Sequence, residues 1–276
     1  MKKSLLVCAI LVGIALVAQA SCDAAAASVF DHEYRAFADV LNKHVRYPRV
    51  DYAALKADRA ALDRVAADFD SAAARGESGW TRQQRLAFWI NAYNVFTLKA
   101  IVDHYPIRGS WISLAPRNSV KQIDGVWTRL KWQAAGRGVT LDDIEHRILR
   151  PEFKDARIHF AVNCASISCP PLAVRPYVAA TLDQQLDAAA RTFLASPEGL
   201  GGADGTFHVS SIFKWYGDDF IDAYAGLVPG TRDARERAIL GVITKFGPDW
   251  AVEPARSGRP GIRYRDYDWS LNDTGR

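Results

Sequence analysis

The spacing of apolar residues along the chain predicts a mostly helical protein. The most hydrophobic segment, Arg82 to His104, is apolar on nearly all sides in its middle, which is typical of a helix buried at the centre of a fold. Thr81 can cap this helix, and Pro106 ends it. Narrower apolar stripes with helical spacing predict amphipathic helices over Val29 to Val45, Ala53 to Ala74, Leu141 to Arg150, Ala179 to Leu194, Ile212 to Tyr224 and Arg232 to Phe246.

Shorter segments indicate strands. Ala156 to Asn163 is an apolar run that predicts a buried strand, and Thr206 to Ser210 and Ile262 to Leu271 alternate between apolar and polar residues. The chain contains no internal repeat and no long low-complexity linker. We therefore expect one α+β domain over residues 21–276, with a central buried helix and several amphipathic helices packed on a small, mainly antiparallel sheet.

The N-terminus has the three parts of a secretory signal peptide. Two lysines are followed by an apolar run, Leu5 to Val17, and by Ala18 to Ala20, which has the small-x-small pattern of a cleavage site. The run is shorter than the roughly 20 residues that a transmembrane helix needs, so we expect no stable membrane span. Residues 1–20 are predicted to be a signal peptide, and the mature protein is expected to be periplasmic or secreted. Lipidation of Cys22 is the alternative.

The composition predicts a globular protein with a substantial core, because 49% of the residues are hydrophobic and eight are Trp. The formal net charge of +4 falls to +2 when Lys2 and Lys3 are removed with the signal peptide. This charge is small and no block of Arg and Lys occurs, so a nucleic-acid partner is not expected.

Three cysteines, Cys22, Cys164 and Cys169, remain after the predicted cleavage. An odd number in an exported protein predicts at least one thiol that is free, lipidated, reactive or bonded to another chain. A Cys164–Cys169 disulfide is one interpretation of the pair, since export favours oxidation. The C-x4-C spacing matches no tight pair of zinc ligands, and neither a metal nor another cofactor is expected.

The other interpretation of Cys164 is a catalytic nucleophile. It lies where the predicted strand ends and a turn of small residues begins, which is a usual position for a reactive group. The backbone N–H groups from Ala165 to Ser168 can form an anion-binding nest, which would lower the pKa of the thiol and serve as an oxyanion hole. Ser166 and Ser168 are therefore candidate substrate-binding residues.

A thiol nucleophile also needs a base, for which the sequence offers His159 and His146 first, with His104 and His208 as further candidates. In a regular strand His159 and Cys164 would point to opposite faces, so His159 requires a bulge or an early turn. His146 requires that its helix packs beside the strand end. Glu145 falls inside the apolar stripe of that helix. It would either orient a catalytic histidine or form a structural ion pair with a nearby arginine.

Asn91 and Asn94 lie on one face of the central predicted helix, together with Val95 and Leu98. Buried amides must be hydrogen-bonded, because each costs a few kcal/mol otherwise. One interpretation is that these amides tie neighbouring loops to the core. The other is that one of them faces a cleft and polarises or orients a ligand.

Five segments, in their order along the chain, resemble the domain-of-unknown-function 547 family, and the resemblance extends over residues 34–272. The segments are FWINAYNVFTL, LDDIEHRILR, IHFAVNCASISCPPL, SSIFKWYGDDF and YDWSLN. The family name implies no activity. Members resemble one another mainly at Asn91, Tyr93, Asn94, Glu145, His146, His159, Cys164, Cys169, Pro170 and Pro171, all of which are present in this chain. On this resemblance Tyr93 joins Asn94 as a candidate substrate-binding residue.

Two hypotheses follow for the function. The first is an exported thiol-dependent hydrolase or acyltransferase that acts on an amide or ester of an envelope peptide or small molecule. Cys164 would be the nucleophile, His146 or His159 the base and Glu145 the orienting group, with Asn91 or Asn94 as polariser. The second is a non-catalytic binding or scaffold domain of the envelope with a structural Cys164–Cys169 disulfide. The sequence does not indicate an oligomeric state.

Overall fold

A computed structural model describes residues 29–71 and 73–275 of the chain. The predicted signal peptide and Cys22 lie outside the described residues. The α-helices are α1 (Arg35–His44), α2 (Tyr52–Ala57), α3 (Arg59–Asp68), α4 (Arg82–His104), α5 (Leu182–Leu194), α6 (Ile212–Tyr216), α7 (Ile221–Tyr224), α8 (Ala234–Phe246) and α9 (Asp249–Arg256). The strands are β1 (Val45–Arg46), β2 (Arg49–Val50), β3 (Trp132–Ala134), β4 (Arg137–Val139), β5 (Leu200–Ala203), β6 (Thr206–Val209) and β7 (Gly261–Tyr264).

The central helix α4 has the bounds that the apolar pattern predicts. It begins with a capping box, in which Thr81 Oγ1 accepts the N–H of Gln84 at 3.2 Å and Gln84 Oε1 accepts the N–H of Thr81 at 2.9 Å. Every residue from Leu86 to Leu98 is buried, so other elements cover this helix on all sides. Within residues 29–71 and 73–275, no helix combines the length and the hydropathy needed to cross a bilayer.

Buried apolar side chains form two separate cores. The first surrounds α4 and includes side chains from α1 and α3. The second surrounds α8 and includes Phe193 of α5 and Phe213 of α6. The segment Ala156–Phe160 contributes to both cores, with Ile158 in the first and Phe160 in the second. This segment therefore lies on the boundary between the two cores.

In the described part of the chain the strands form three small sheets, whereas the sequence predicted one. β1 pairs with β2, and β3 pairs with β4, each as an antiparallel hairpin. In the third sheet β6 pairs antiparallel with β5 and parallel with β7. The predicted α+β class is confirmed, as is the mainly antiparallel pairing. The sheets are separate because each contains only two or three short strands, too few to form a continuous layer.

The predicted buried strand over Ala156 to Asn163 is wrong. The segment begins with a 3₁₀ helix over Ala156–Phe160, which Asp155 caps by accepting the N–H of Arg157 at 3.0 Å. A short apolar run fits a buried helical turn as well as a buried strand. The strand alternation that separated His159 from Cys164 therefore does not apply.

The helix that follows Thr140 is capped by that residue and is wider than the α-helix predicted over Leu141 to Arg150. Thr140 Oγ1 accepts the N–H of Asp143 at 3.0 Å, and from Asp143 to Phe153 the chain forms a π-helix. Such wide turns occur frequently at functional sites. Along this helix Glu145 is buried and His146 is exposed.

Asn91 ties α4 to the segment that precedes α5. Its Nδ2 donates to the carbonyl oxygen of Tyr177 at 2.7 Å, and its Oδ1 accepts the N–H of Tyr177 at 3.0 Å. The side chain is fully buried. Both polar ends of the amide are thus used by one backbone residue, in agreement with the interpretation that it anchors a neighbouring segment.

We predict that Asn91→Ala lowers the free energy of unfolding by about 3 kcal/mol, because it leaves two buried backbone groups of Tyr177 without partners. Urea unfolding followed by Trp fluorescence measures this change. The matched control is Gln83→Ala on the exposed side of the same helix, for which a change within about 0.5 kcal/mol is expected. Equal stability of the two variants would contradict the anchoring role of Asn91.

Candidate functional site

The candidate site is built on an irregular segment that follows the 3₁₀ helix and is held by two buried amides. Asn94 of α4 donates from Nδ2 to the carbonyl of Ala161 at 3.0 Å, and its Oδ1 accepts the N–H of Asn163 at 2.8 Å. Asn163 in turn accepts the N–H of Ala165 at 2.9 Å and donates to the carbonyl of Pro170 at 2.7 Å. The two side chains satisfy backbone groups that lack a partner in a helix or sheet.

The C-terminal segment holds the other side of the same turn. Ala165 has a left-handed backbone with a φ of 63°, and its carbonyl accepts the N–H of Asn272 at 3.0 Å. Ile167 donates its N–H to the carbonyl of Ser270 at 2.9 Å. Cys164 therefore lies at the tip of a turn that is fixed to α4 on one side and to the end of the chain on the other.

A cavity of about 410 Å³ lies beside this turn, which is within the usual size range of small-molecule sites. It brings together most of the residues that the sequence singled out. Its lining includes the predicted site residues Tyr93, Glu145, His146, His159, Cys164 and Cys169. The remaining wall is mainly aromatic and includes Trp127, Trp215, Tyr216, Tyr267 and Trp269.

Hydrogen-bond donors surround the Cys164 thiol. Its Sγ lies 3.1 Å from Ser166 Oγ and 3.4 Å from Tyr267 Oη, and it is hydrogen-bonded to the Cys169 thiol. The bond with Cys169 is the largest cause of a shift that lowers the pKa of Cys164 from 9.0 to about 7. Burial opposes this shift, and the bonds from Ser166 and Tyr267 support it. These contacts favour the thiolate of Cys164 over its neutral thiol.

Cys169 is the buried member of the thiol pair. Both cysteines are free in the structure, and the N–H of Cys164 donates to Cys169 Sγ at 2.9 Å. Burial, followed by the hydrogen bond to the ionised Cys164, raises the pKa of Cys169 well above its usual value. Cys169 is therefore the protonated member of the pair, and its Sγ donates to the carbonyl oxygen of Val162 at 3.9 Å. A disulfide between these two cysteines stays a prediction.

His159 is oriented by a carboxylate that the sequence did not single out. Its Nε2 lies 2.7 Å from Asp219 Oδ2, and its ring stacks on Tyr216 at a centroid distance of 4.1 Å. A carboxylate only accepts hydrogen bonds, so Nε2 carries the proton and Nδ1 has the lone pair in the neutral ring. The ring is almost completely buried, which fixes it in this orientation.

Asp219 is held in its ionised form by two partners. Burial alone would raise the pKa of this carboxyl, but the hydrogen bonds from His159 and Arg150 outweigh burial and hold the pKa well below the usual value. Arg150 binds both carboxylate oxygens, with Nε at 2.6 Å from Oδ2 and Nη2 at 2.9 Å from Oδ1. A permanently charged carboxylate at this position favours a donor at His159 Nε2.

His146 is arranged differently. Arg150 Nη1 lies 3.0 Å from His146 Nδ1, and an arginine can only donate, so the lone pair of Nδ1 is already used. The other nitrogen, Nε2, lies 3.7 Å from Asp142 Oδ1 at the exposed edge of the cavity. Of these two histidines, only His159 combines an orienting carboxylate with an unused lone pair.

Glu145 faces tyrosines rather than a histidine. Burial, and next the charge of Glu145, raises the pKa of Tyr93 and of Tyr216. The carboxylate bonded to His159 is that of Asp219. The predicted role of Glu145 as the group that orients a histidine therefore has no counterpart in this geometry, because Asp219 takes that position.

Three other predicted site residues act as structural ties. The hydrogen bonds of Asn91 and Asn94 go to backbone groups and hold the cavity walls. Ser168 donates from Oγ to Glu198 Oε2 at 2.7 Å and accepts the N–H of Asp268 at 2.9 Å. Of the two predicted serines, only Ser166 reaches the Cys164 sulfur.

The predicted anion-binding nest after Cys164 is largely occupied by protein acceptors. The N–H of Ala165 bonds to the side chain of Asn163, and the N–H groups of Ile167 and Ser168 bond to carbonyls of the C-terminal segment. The N–H of Ser166 supports the Cys164 thiolate. The turn therefore stabilises the thiolate itself and does not form a separate oxyanion hole.

Sequence reasoning missed Asp219 and Tyr267, which contact His159 and Cys164 respectively. The first lies in the segment SSIFKWYGDDF and the second begins YDWSLN, two segments on which the family resemblance rests. For Asp219 the available signal was a polar residue within an aromatic-rich motif. Among the described residues, no group of three or more His, Cys, Asp or Glu side chains is arranged to hold a metal ion.

We predict that the rate at which iodoacetamide alkylates Cys164 is half-maximal near pH 7 rather than near the usual 9.0. In Cys169→Ala this midpoint moves upward, because the largest cause of the lowered pKa is lost. Cys169→Ser keeps a donor at the same position and is expected to lie between the two. Peptide mapping by mass spectrometry separates Cys164 from the other cysteines.

Two results would contradict this description of the thiol pair. An unchanged midpoint in Cys169→Ala would show that Cys169 does not stabilise the thiolate. Labelling of Cys164 only after treatment with a reductant would show that the two cysteines form a disulfide in the protein as isolated.

The comparison with protein families identifies one match. The family described as Protein of unknown function, DUF547, matches residues 77–194, which include His159, Cys164 and Cys169 but neither Asp219 nor Tyr267. Neither the curated proteins nor the solved structures contain a significant match to the chain. The match over residues 77–194 supports the resemblance to the domain-of-unknown-function 547 family that the sequence motifs indicate.

Proposed function

We propose that the chain is a thiol-dependent hydrolase or acyltransferase that acts on an amide or ester. One observation carries this proposal. A single cavity contains a cysteine whose pKa is lowered to about 7 and a histidine whose Nε2 donates to an ionised aspartate. Cys164, His159 and Asp219 correspond in type and in roles to the nucleophile, base and orienting group of thiol enzymes.

The proposed reaction has two steps. His159 first takes the thiol proton of Cys164 at Nδ1, and the resulting thiolate attacks the carbonyl carbon of the substrate. The amine or alcohol then leaves with that proton, which His159 Nδ1 returns. A thioester then joins the acyl group to Cys164. In the second step water or another nucleophile loses a proton to His159 and attacks the thioester, which releases the acyl product and restores the thiolate.

His159 is the proposed base because Nδ1 keeps its lone pair while Asp219 holds Nε2. The hydrogen bonds of the Cys164 sulfur go to Ser166, Tyr267 and Cys169. A contact with a histidine is not among them within the described residues. Catalytic hydrogen bonds frequently become short only in the substrate complex. The proposal therefore depends on the position of His159 and Cys164 in the lining of the same cavity.

Tyr267 is the proposed donor to the oxyanion of the tetrahedral intermediate. Its hydroxyl lies 3.4 Å from the Cys164 sulfur, close to the place where a carbonyl oxygen would be during attack. Burial, and next the charge of Cys164, raises the pKa of Tyr267 well above its usual value, so the hydroxyl stays protonated. In this proposal Tyr267 replaces the backbone nest and the Asn91 amide as polariser.

The cavity size and the expected export support a peptide-derived substrate. A volume of about 410 Å³ accommodates a few residues or a small molecule. The aromatic side chains of Trp127, Trp215 and Trp269 offer flat apolar surfaces for the parts of the substrate beside the scissile bond. An amide or ester of an envelope peptide fits this combination.

A second candidate function is a non-catalytic binding or scaffold domain of the envelope. The observation that favours it is the proximity of the two cysteines, since the backbone N–H of Cys164 donates to Cys169 Sγ at 2.9 Å. An oxidising compartment would convert such a pair into a structural disulfide. In that form Cys164 cannot act as a nucleophile, so the cavity would bind a ligand without reacting with it.

We predict that the protein hydrolyses p-nitrophenyl acetate through a thioester on Cys164, detected as a mass increase of that peptide. Cys164→Ala is expected to abolish the burst of p-nitrophenol and the adduct. His159→Asn is expected to lower the rate by about 10²–10⁴-fold, the usual contribution of a general base. Liberated p-nitrophenol and the intact mass of the protein are the measurements.

The matched control is His146→Asn, which removes a second histidine of the same cavity whose lone pair is already used. It is expected to keep a rate close to that of the unmodified protein. Turnover that survives Cys164→Ala, or equal losses in the two histidine variants, would contradict the proposed dyad. A protein that reacts only after reduction would favour the binding domain instead.

A further inference from the structure

Three large apolar side chains project into solvent from one loop. The exposed fractions of Trp111, Ile112 and Leu114 are 81%, 76% and 107%. They occupy the tip of the loop that follows α4, and Ser113 is the only residue between them. Scattered exposed apolar residues are ordinary, whereas several large ones together on a loop indicate an interaction surface.

The loop holds its tip outward by specific hydrogen bonds at its neck. The N–H of Gly109 donates to the carbonyl of Arg117 at 2.8 Å, which closes the loop. Gln122 Nε2 donates to the carbonyls of Ala115 and Pro116 at 3.0 and 3.2 Å. A Cβ atom at residue 109 would lie 2.2 Å from the Gln122 side chain, so a larger residue there would displace Gln122 from these hydrogen bonds. The apolar tip is therefore built into the fold.

The charges around the tip have one sign. Arg108 and Arg117 flank the loop and are exposed, and Lys121 follows shortly after. No acidic residue occurs between Tyr105 and Ile123. An apolar tip flanked in the sequence by exposed cations matches a surface that is anionic outside and apolar inside.

We propose that this loop docks the protein on a bilayer of anionic phospholipids. Trp111, Ile112 and Leu114 enter the boundary between headgroups and acyl chains, where tryptophan is preferred. Arg108 and Arg117 remain at the level of the phosphates and bind them. The interaction is peripheral and does not depend on the thiol chemistry of the cavity.

The size of the tip argues against a protein partner as the occupant. A specific protein interface buries roughly 800 Å² on each partner, much more than three side chains on a narrow loop provide. A bilayer has no such requirement, because insertion depth and headgroup charge supply the affinity. A second copy of the chain would also place Arg108 and Arg117 opposite the same cations.

The neck of the loop is joined to the wall of the cavity. Lys121 Nζ lies 4.5 Å from the ring centroid of Trp269, which lines the cavity. The carbonyl of Asn118 accepts the N–H of Leu271 at 2.8 Å. Docking of the loop would therefore hold the aromatic side of the cavity close to the membrane surface.

Sedimentation of the full chain with vesicles tests this proposal. Vesicles of phosphatidylglycerol and phosphatidylethanolamine are compared with vesicles of phosphatidylcholine alone. The triple variant Trp111→Ser, Ile112→Ser, Leu114→Ser is expected to bind the anionic vesicles at least about tenfold more weakly, because three apolar side chains no longer insert. The control Val174→Ser, Leu227→Ser removes exposed apolar side chains elsewhere and is expected to change nothing.

The charge contribution is tested separately. Arg108→Gln is expected to weaken binding to anionic vesicles about fivefold and to leave binding to phosphatidylcholine unchanged. Arg175→Gln, at an exposed arginine far along the chain, is the matched control and is expected to keep the original affinity. All variants carry the same residues 1–28, so differences between them report on the loop.

A fluorescence measurement reports insertion directly. Brominated lipids are expected to quench part of the Trp emission of the unmodified protein, and Trp111→Phe should lose that quenched part while still binding. Equal vesicle binding by the triple loop variant and its control, or no loss of quenching in Trp111→Phe, would overturn the proposal. The proposal would also be overturned if the triple loop variant bound vesicles as the unmodified protein does but had a smaller sedimentation coefficient without vesicles. That result would assign the tip to self-association.

Discussion

The hydrogen bonds of two buried amides determine where the reactive turn lies. Asn94 on the central helix satisfies the carbonyl of Ala161 and the N–H of Asn163, and Asn163 satisfies the next part of the turn. The segment has neither a helix nor a sheet ladder for its backbone, so these side chains replace one. Without them the low-dielectric interior would disfavour any irregular backbone at this depth. These hydrogen bonds fix the backbone of Asn163 and Ala165, and thereby position Cys164 between them.

The most regular parts of the fold were predictable from the sequence. The bounds of α4 follow from its apolar residues, the Thr81 cap and the proline after His104, and all of these act locally. The buried amides of Asn91 and Asn94 were recognised for the same reason, because helical spacing places them on one face. The strand over Ala156 to Asn163 failed because a short run buried between two cores has no period that distinguishes strand from helix.

The pairing within the candidate site was not predictable in the same way. His159 and Asp219 are 60 residues apart, and Cys164 and Tyr267 are 103 residues apart. No local pattern encodes contacts of that separation. Because Glu145 is adjacent to His146 in the sequence, it was predicted to orient a catalytic histidine. The wide π-helix instead buries Glu145 against tyrosines, and Arg150 takes the lone pair of His146.

The two cores give the proposed dyad a mechanical property. The Cys164 turn is fixed to the first core through Ala165 and Leu271. The His159 ring packs against Tyr216 and against Phe220 of the second core. In the sequence His159 is followed by Phe160 and Asp219 by Phe220, and both phenylalanines belong to that core. Nucleophile and base therefore adjoin different cores, and the gap between them depends on how the two cores pack at their boundary. Hydrostatic compression of the whole molecule would change the reactive distance, and with it the contact between Cys164 and Tyr267, because Tyr267 packs against the second core.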